Sequence, residues 1–232
     1  MSNLMGAPVA IMALVKIAED AKLSGIAKLM FGRYQLGSVP GLQLIKYLGS
    51  GVNGGFSVKP SALHQGIFAA FNNQQEAEQF LHGSALLHWY RDHADDFFTT
   101  QLQTYSCKGS WGGKSLPIYD AQIPTGAIAS LTRASIKPWY AQQFWSKAPP
   151  AETELKHTSG CLLAAGVGEA PLLRQATFTI WESEVAMNDY ARSGSHLKAI
   201  QAAHLHHYFS ESMFARFKPI NPQGSWGGHA FG

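Results

Sequence analysis

A chain of 232 residues with 46% hydrophobic and only 14% charged side chains is long enough to bury a sizeable core without disulfides or a structural metal. Its formal charge of +3 is spread along the chain without a Lys/Arg block, which argues against nucleic acid as the main partner. The two cysteines, Cys107 and Cys161, stand alone with no CxxC, which reads as buried free thiols in a reducing cytoplasm, and 12% aromatic residues point to a bulky interior or a greasy pocket.

The apolar run 4–17 has no basic leader or small-residue cleavage site and is too short to span a bilayer, so its later part, 10–17 (AIMALVKI), is predicted as a core strand. A helical stretch follows over 20–34, broken by Gly37 to Gly41 with Pro40. Strands are predicted at 42–48 and 64–71, separated by the glycine-rich GSGVNGG of 49–55. That loop lacks the Lys-Ser/Thr of a phosphate cradle and the spacing of a dinucleotide fingerprint, so it reads as a long turn. An amphipathic helix over 74–94 and a strand over 97–105 lead into GSWGG at 109–113. The order is β-α-β-β-α-β.

The second half repeats it. Residues 127–133 echo the first strand, 139–147 supply a helix, and 160–166 and 176–181 supply two strands. Positions 178–190 align without a gap on 68–80. A long helix bearing His196, His204, His206 and His207 follows, then a strand over 213–218 and a second GSWGG at 224–228. The tail after Phe217 is mostly Gly, Pro and small polar residues, so its last residues are expected to be mobile. Each half, 1–116 and 117–232, is a ferredoxin-like unit whose sheet has one bare face. Two such sheets in one α+β chain can close face to face as a dimeric α/β barrel, a single structural unit with a cavity between sheet and helices for a flat cofactor.

The histidines are the candidate metal ligands. On a helix His196, Ile200, Ala203 and His207 share a stripe, with His204 beside it. Zinc would need three or four convergent ligands, and no third one is spaced to join His204 and His207, whereas haem asks for one axial imidazole and an apolar cavity. Ile200, Phe178 and Trp181 are candidate cofactor-lining residues, although such aromatics more often fill the core. Arg133 and Lys46 lie inside predicted strands, and if they point inward they are the candidate catalytic cations, able to pair a cofactor carboxylate or to stabilise charge developing on oxygen.

Segments 42–56 (LQLIKYLGSGVNGGF), 133–145 (RASIKPWYAQQFW), 167–181 (VGEAPLLRQATFTIW), 195–200 (SHLKAI) and 209–217 (FSESMFARF), with the closing GSWGG, resemble the spheroidene monooxygenase family of carotenoid biosynthesis over nearly the whole chain. The resemblance implies a haem protein of the dimeric α/β barrel type that uses dioxygen to hydroxylate, and by a second hydroxylation to ketolate, an acyclic carotenoid. It places the family's histidine on His196. Where members tend to carry a charged stretch ending in Glu-Gly-Trp, this chain has His204-Leu205-His206-His207-Tyr208, which keeps His204 and His207 as rival ligands. With no flavin or NAD motif, the resemblance also implies an external electron donor, a reductase or ferredoxin. It further implies a cytoplasmic chain that touches the inner face of the membrane transiently to reach its substrate. Haem dehydratase or peroxidase chemistry, non-catalytic haem binding and a cofactor-free oxygenase are the alternatives on the same barrel.

Overall fold

The computed structural model describes residues 6–146, 155 and 158–232; the side chains at 33, 35, 195, 196, 199, 200 and 204 lie outside the described residues. The first half runs β1 (Val9–Ile17), α1 (Lys22–Gln35), β2 (Leu42–Gly51), β3 (Pro60–Phe71), α2 (Gln74–Gly83), α3 (Ala85–Asp92) and β4 (Ala94–Gly109). The second runs β5 (Ile128–Ile136), α4 (Ala141–Trp145), β6 (Cys161–Ala170), β7 (Arg174–Trp181), α5 (Glu184–Ala191), α6 (Gly194–Leu205), β8 (Phe209–Trp226) and the short β9 (His229–Phe231). Strand order is β4-β1-β3-β2-β6-β7-β5-β8-β9, and a further β4–β8 pairing closes the ring. Read by halves this is 4-1-3-2 twice, antiparallel throughout, so the predicted pair of ferredoxin-like repeats is what the chain builds.

Alternation along each strand sends every second residue into the barrel. The interior is packed shut by Met12, Leu14, Phe68, Phe98, Phe178, Met213 and Phe217, with Trp111 and Trp226 joining the same cluster. It holds a core, leaving ligands to the outer, helix-covered faces. Both GSWGG segments are turns with left-handed glycines at matching places: Gly109, Gly112 and Gly113 have φ of 84, 63 and 76°, against 93, 62 and 86° for Gly224, Gly227 and Gly228. The repeat extends to helix starts. Asn73 Oδ1 accepts from the Glu76 amide to cap α2, and Ser183 Oγ accepts from the Ala186 amide to cap α5.

Several predicted elements need correction. The helix expected over 74–94 breaks at Ser84, whose extended ψ of 121° ends α2 and begins α3, and β4 has already started at Ala94. The long histidine helix is likewise two helices, α5 and α6, and it ends at Leu205; His206 and His207 lie in the turn beyond, with His207 at φ 50°. After Phe217 β8 runs on to Trp226 and β9 pairs back on it, so the chain end expected to be mobile is held in the sheet as far as Phe231. Glycine and proline there mark a bent strand. The predicted helix over 139–147 is a single 3-10 turn, Pro138–Tyr140, running into α4, and Lys147 lies outside the described residues.

Candidate functional site

The two halves differ most on the sheet face that their helices cover. In the first half that face carries Val9, Ile11, Ala13, Val15 and Ile17 from β1 with Ile67, Ala69 and Phe71 from β3, all in one buried cluster with α2 and α3. In the second half the matching positions are Ile128, Ser130, Thr132, Ala134 and Ile136 from β5 with Thr177, Thr179 and Trp181 from β7. Cross-strand pairs confirm the equivalence: Ala13 faces Ile67 and Ile11 faces Ala69, while Thr132 faces Thr177 and Ser130 faces Thr179. Four apolar side chains have become four hydroxyls.

The packing follows. Among the described residues the second half's outer core falls into two separate patches, one around Ile128, Trp181, Met187 and Tyr105, the other around Ala202, Ala203 and Tyr208. Between them Ser130, Thr132 and Thr177 are only half-buried, and Phe214, opposite Thr132 on β8, keeps 39% of its surface exposed. Ser130 and Thr179 satisfy each other at 2.8 Å, and Thr179 Oγ1 also accepts from Trp181 Nε1 at 2.8 Å. Among the described residues the buried Tyr208 hydroxyl has no hydrogen-bond partner. A buried orphan hydroxyl costs about 1–3 kcal/mol unless something else satisfies it.

An aromatic wall borders this floor. Phe144 stands edge-on to Phe209 at 6.0 Å and Tyr140 lies 5.2 Å from Tyr208. Phe56, from the first half, stacks on Trp145 at 4.9 Å. The glycine-rich loop after β2 is what carries Phe56 across: a Cβ at Gly166 of β6 would strike the backbone of Gly55 and Phe56. A segment read as a plain turn is therefore a cover for the neighbouring repeat.

The structure places the sequence-predicted residues as follows. Trp181 is on the helix side, buried against Tyr190 at 5.4 Å and within the cluster of Ile128 and Met187. Phe178 points the other way, into the barrel core. His196, Ile200 and His204 belong to α6, but their side chains lie outside the described residues. His207 is exposed beyond the helix end, and His206 stacks on Tyr208 at 5.4 Å. Among the described residues no three His, Cys, Asp or Glu side chains converge as a metal site.

Arg133 and Lys46 do point inward, and they meet at one end of the barrel. Arg133, 3% exposed, reaches Glu211 at 2.5 Å and Glu169 at 3.3 Å, while Lys46 reaches the other oxygen of Glu169 at 2.9 Å. Trp111 Nε1 donates to Glu169 at 2.7 Å, and both cations lie over its ring at 5.5 and 5.6 Å. Burial works against the charge of Glu211, yet the amides of Gly113 and Gly112, Ser110 and Arg133 outweigh it and hold its carboxyl at about 2. Two cations and two carboxylates balance. This network ties both halves together and lies on the face of β5 opposite the hydroxyl floor.

Sequence reasoning missed Ser130, Thr132, Thr177, Thr179 and Phe56. The signal was present where the repeat breaks its own pattern, since Thr177 sits one residue before the gapless match that starts at Phe178 and Phe68.

Fold, repeat and face define a dimeric α/β barrel made by one polypeptide, with its candidate site under the second repeat's helices. No family model matches the chain. It is 41% identical to the spheroidene monooxygenase of Rubrivivax gelatinosus over 227 residues, covering 98% of this chain and 88% of that protein. The spheroidene monooxygenase of Rhodobacter capsulatus is 34% identical, with 95% and 94% covered. The chain belongs to the spheroidene monooxygenase family. In fold it matches an aldoxime dehydratase crystallised with butyraldoxime, with a TM-score of 0.62 over 95% of this chain and 81% of that one at 8% identity. A second aldoxime dehydratase structure gives 0.56, with 94% and 83% covered, at 8% identity.

Proposed function

We propose that this chain is a haem-dependent monooxygenase acting on a carotenoid or similarly apolar substrate, with the second repeat's sheet–helix layer as its active site. The observation that supports it most is the exchange of Ile67 for Thr177 and Ile11 for Ser130 between repeats, which lines the second layer with hydroxyls where the first carries apolar side chains. A flat ligand fits such a layer, and the orphan Tyr208 hydroxyl fits one with a polar edge. His196 on α6 would hold the iron, with His204 and His207 as the alternatives. When bound, haem supplies dioxygen activation: one oxygen atom enters a C–H bond of the substrate and the other leaves as water, using two electrons and two protons from an external donor.

The chain's own residues bind and orient. Phe56, Phe144, Trp145 and Phe209 form an apolar wall suited to a long polyene and exclude water from it. Trp145 is fixed by its Nε1 bond to the Leu172 carbonyl at 2.9 Å. The hydroxyls of Thr132 and Thr177 stand ready to donate to an oxygen of a hydroxylated product. Arg133 and Lys46, held in their ion pairs, brace the barrel end.

The test is the visible spectrum of protein produced with ample iron, beside His196→Ala, His204→Ala and His207→Ala, followed by carotenoid turnover with dioxygen and a reductase. A Soret band lost only in His196→Ala, with oxygenated product formed under dioxygen, is the expected result. A protein that stays colourless after haem is added overturns the haem assignment, and turnover with peroxide alone overturns the monooxygenase one.

A further inference from the structure

Helix α1 turns four of its six large apolar side chains to the surface, while Ile26 and Leu29 are half-buried. Leu23, Met30, Phe31 and Tyr34 are 81, 60, 52 and 71% exposed, and with Ala27 they fall within about 100° of helical arc. The opposite side of the helix carries Gly25 and Gly32, where a Cβ would come within 3.1 Å of Ile17 and 2.8 Å of Tyr47. The glycines press α1 down on β2 and β3, so the helix cannot roll to bury its outer stripe. One helix thus shows four large apolar groups side by side, where scattered single ones are the rule.

Charge points to what covers them. The fourteen residues of α1 include Lys22, Lys28 and Arg33 and no acid. Lys22 pairs with Glu19 at 3.3 Å, in the turn before the helix, and Lys28 lies over Trp89 at 5.5 Å. A two-fold contact with a second copy would set two acid-free helices against each other, which like charges oppose. An anionic bilayer meets both features at once, accepting the apolar stripe among its acyl chains and the lysines at its headgroups.

We propose that α1 is a membrane-docking helix that lies in the interface of an anionic bilayer on its Leu23–Met30–Phe31–Tyr34 face. It deepens the proposed function, which needs a substrate drawn from lipid, but the surface itself is independent of that reading. Among the described residues no helix is long and apolar enough to cross a membrane, so the contact is peripheral.

Full-length protein would be co-sedimented with phosphatidylcholine vesicles with and without phosphatidylglycerol. Wild type is expected to pellet with the anionic vesicles and to be released by salt. The variant Leu23→Ser/Met30→Ser/Phe31→Ser/Tyr34→Ser is expected to partition about tenfold less or lower, with unchanged thermal melting, because burying each apolar group contributes to partition. Val185→Ser/Ile123→Ser, altering exposed apolar residues elsewhere, should bind as wild type does. Wild type that stays in solution with both vesicles, a quadruple variant that binds undiminished, or a dimer that this variant converts to monomer without vesicle binding would each overturn the proposal. Turnover of detergent-dispersed carotenoid separates the two readings: vesicle binding without turnover defeats the proposed activity and leaves the docking face standing.

Discussion

Asp96 and Glu211 are counterparts across the internal repeat, and each grips the turn that closes the other's half. Asp96, near the start of β4, accepts from Ser225 Oγ at 2.5 Å and from the Gly227 amide at 3.2 Å. Glu211, near the start of β8, accepts from Ser110 Oγ and the Gly113 amide, both at 2.9 Å. Because β4 and β8 run antiparallel, the long seam that closes the barrel is clasped at both ends. The matching GSWGG segments exist to place those donors.

Removing either carboxylate therefore opens one end of the seam. Asp96→Ala is expected to cost about 1 kcal/mol, the net worth of an ordinary hydrogen bond, since the half-buried Ser225 hydroxyl and the exposed Gly227 amide can turn to water. Glu211→Ala is expected to cost about 3 kcal/mol, because it also strips Arg133 of its shorter ion pair. Urea melts of both variants measure this. Equal losses would show that Arg133 draws little from Glu211.

The clasp also sets an acid limit. The carboxyl of Glu211 is held at about 2 in the fold against an ordinary value of 4.5, and Glu169 is lowered in the same direction: burial opposes its charge, but Lys46, Trp111 and Arg133 prevail. A depressed carboxyl adds stability that is complete above the unfolded value and vanishes as pH falls through the folded one. Stability should thus fall from about pH 5 towards 2, and Glu211→Gln should fall less steeply over that window. Parallel slopes in wild type and Glu211→Gln would remove Glu211 from the account.

The architecture was legible because the repeat is written in two ways that sequence preserves. Hydrophobic alternation marks each strand, and GSWGG marks the end of each half, so the repeated β-α-β-β-α-β order, and with it the ferredoxin-like unit, could be read from spacing. Helix interruptions were only weakly legible. Gly83-Ser84 and Ser193-Gly194-Ser195 stand at the two breaks, but isolated glycine and serine are tolerated inside helices, so the amphipathic pattern on either side reads as one long helix. The inward direction of Arg133 and Lys46 was open, since a strand's face depends on register, and register came from pairing with β7 and β8 for one and with β3 for the other. The site floor was hidden for a different reason. Serine and threonine in a strand look like ordinary β-formers, and only comparison with Ile11 and Ile67 gives Ser130 and Thr177 meaning.

Cys161 offers a check on the second repeat's edge. Burial pushes its thiol up to about 11, only partly offset by the Leu163 backbone. The thiolate is the reactive form, so native protein at neutral pH should leave Cys161 unlabelled by iodoacetamide, and unfolded protein should label it fully. Rapid native labelling at Cys161, mapped by mass spectrometry, would mean that the strand end opens readily.

Thr177→Ile restores in the second repeat what Ile67 does in the first. If the hydroxyl floor is kept for a ligand and contributes little to folding, filling it should leave the unfolding temperature unchanged or raise it, since burying an added apolar group there contributes about 1 kcal/mol. The same change should lower haem uptake and substrate binding at least tenfold by occupying their space. Thr177→Ser, which keeps the hydroxyl and frees volume, should retain both. Thermal melting beside haem titration of the apoprotein separates the outcomes: a Thr177→Ile protein that melts early has a floor shaped by packing, and one that melts late while still taking up haem places the ligand elsewhere.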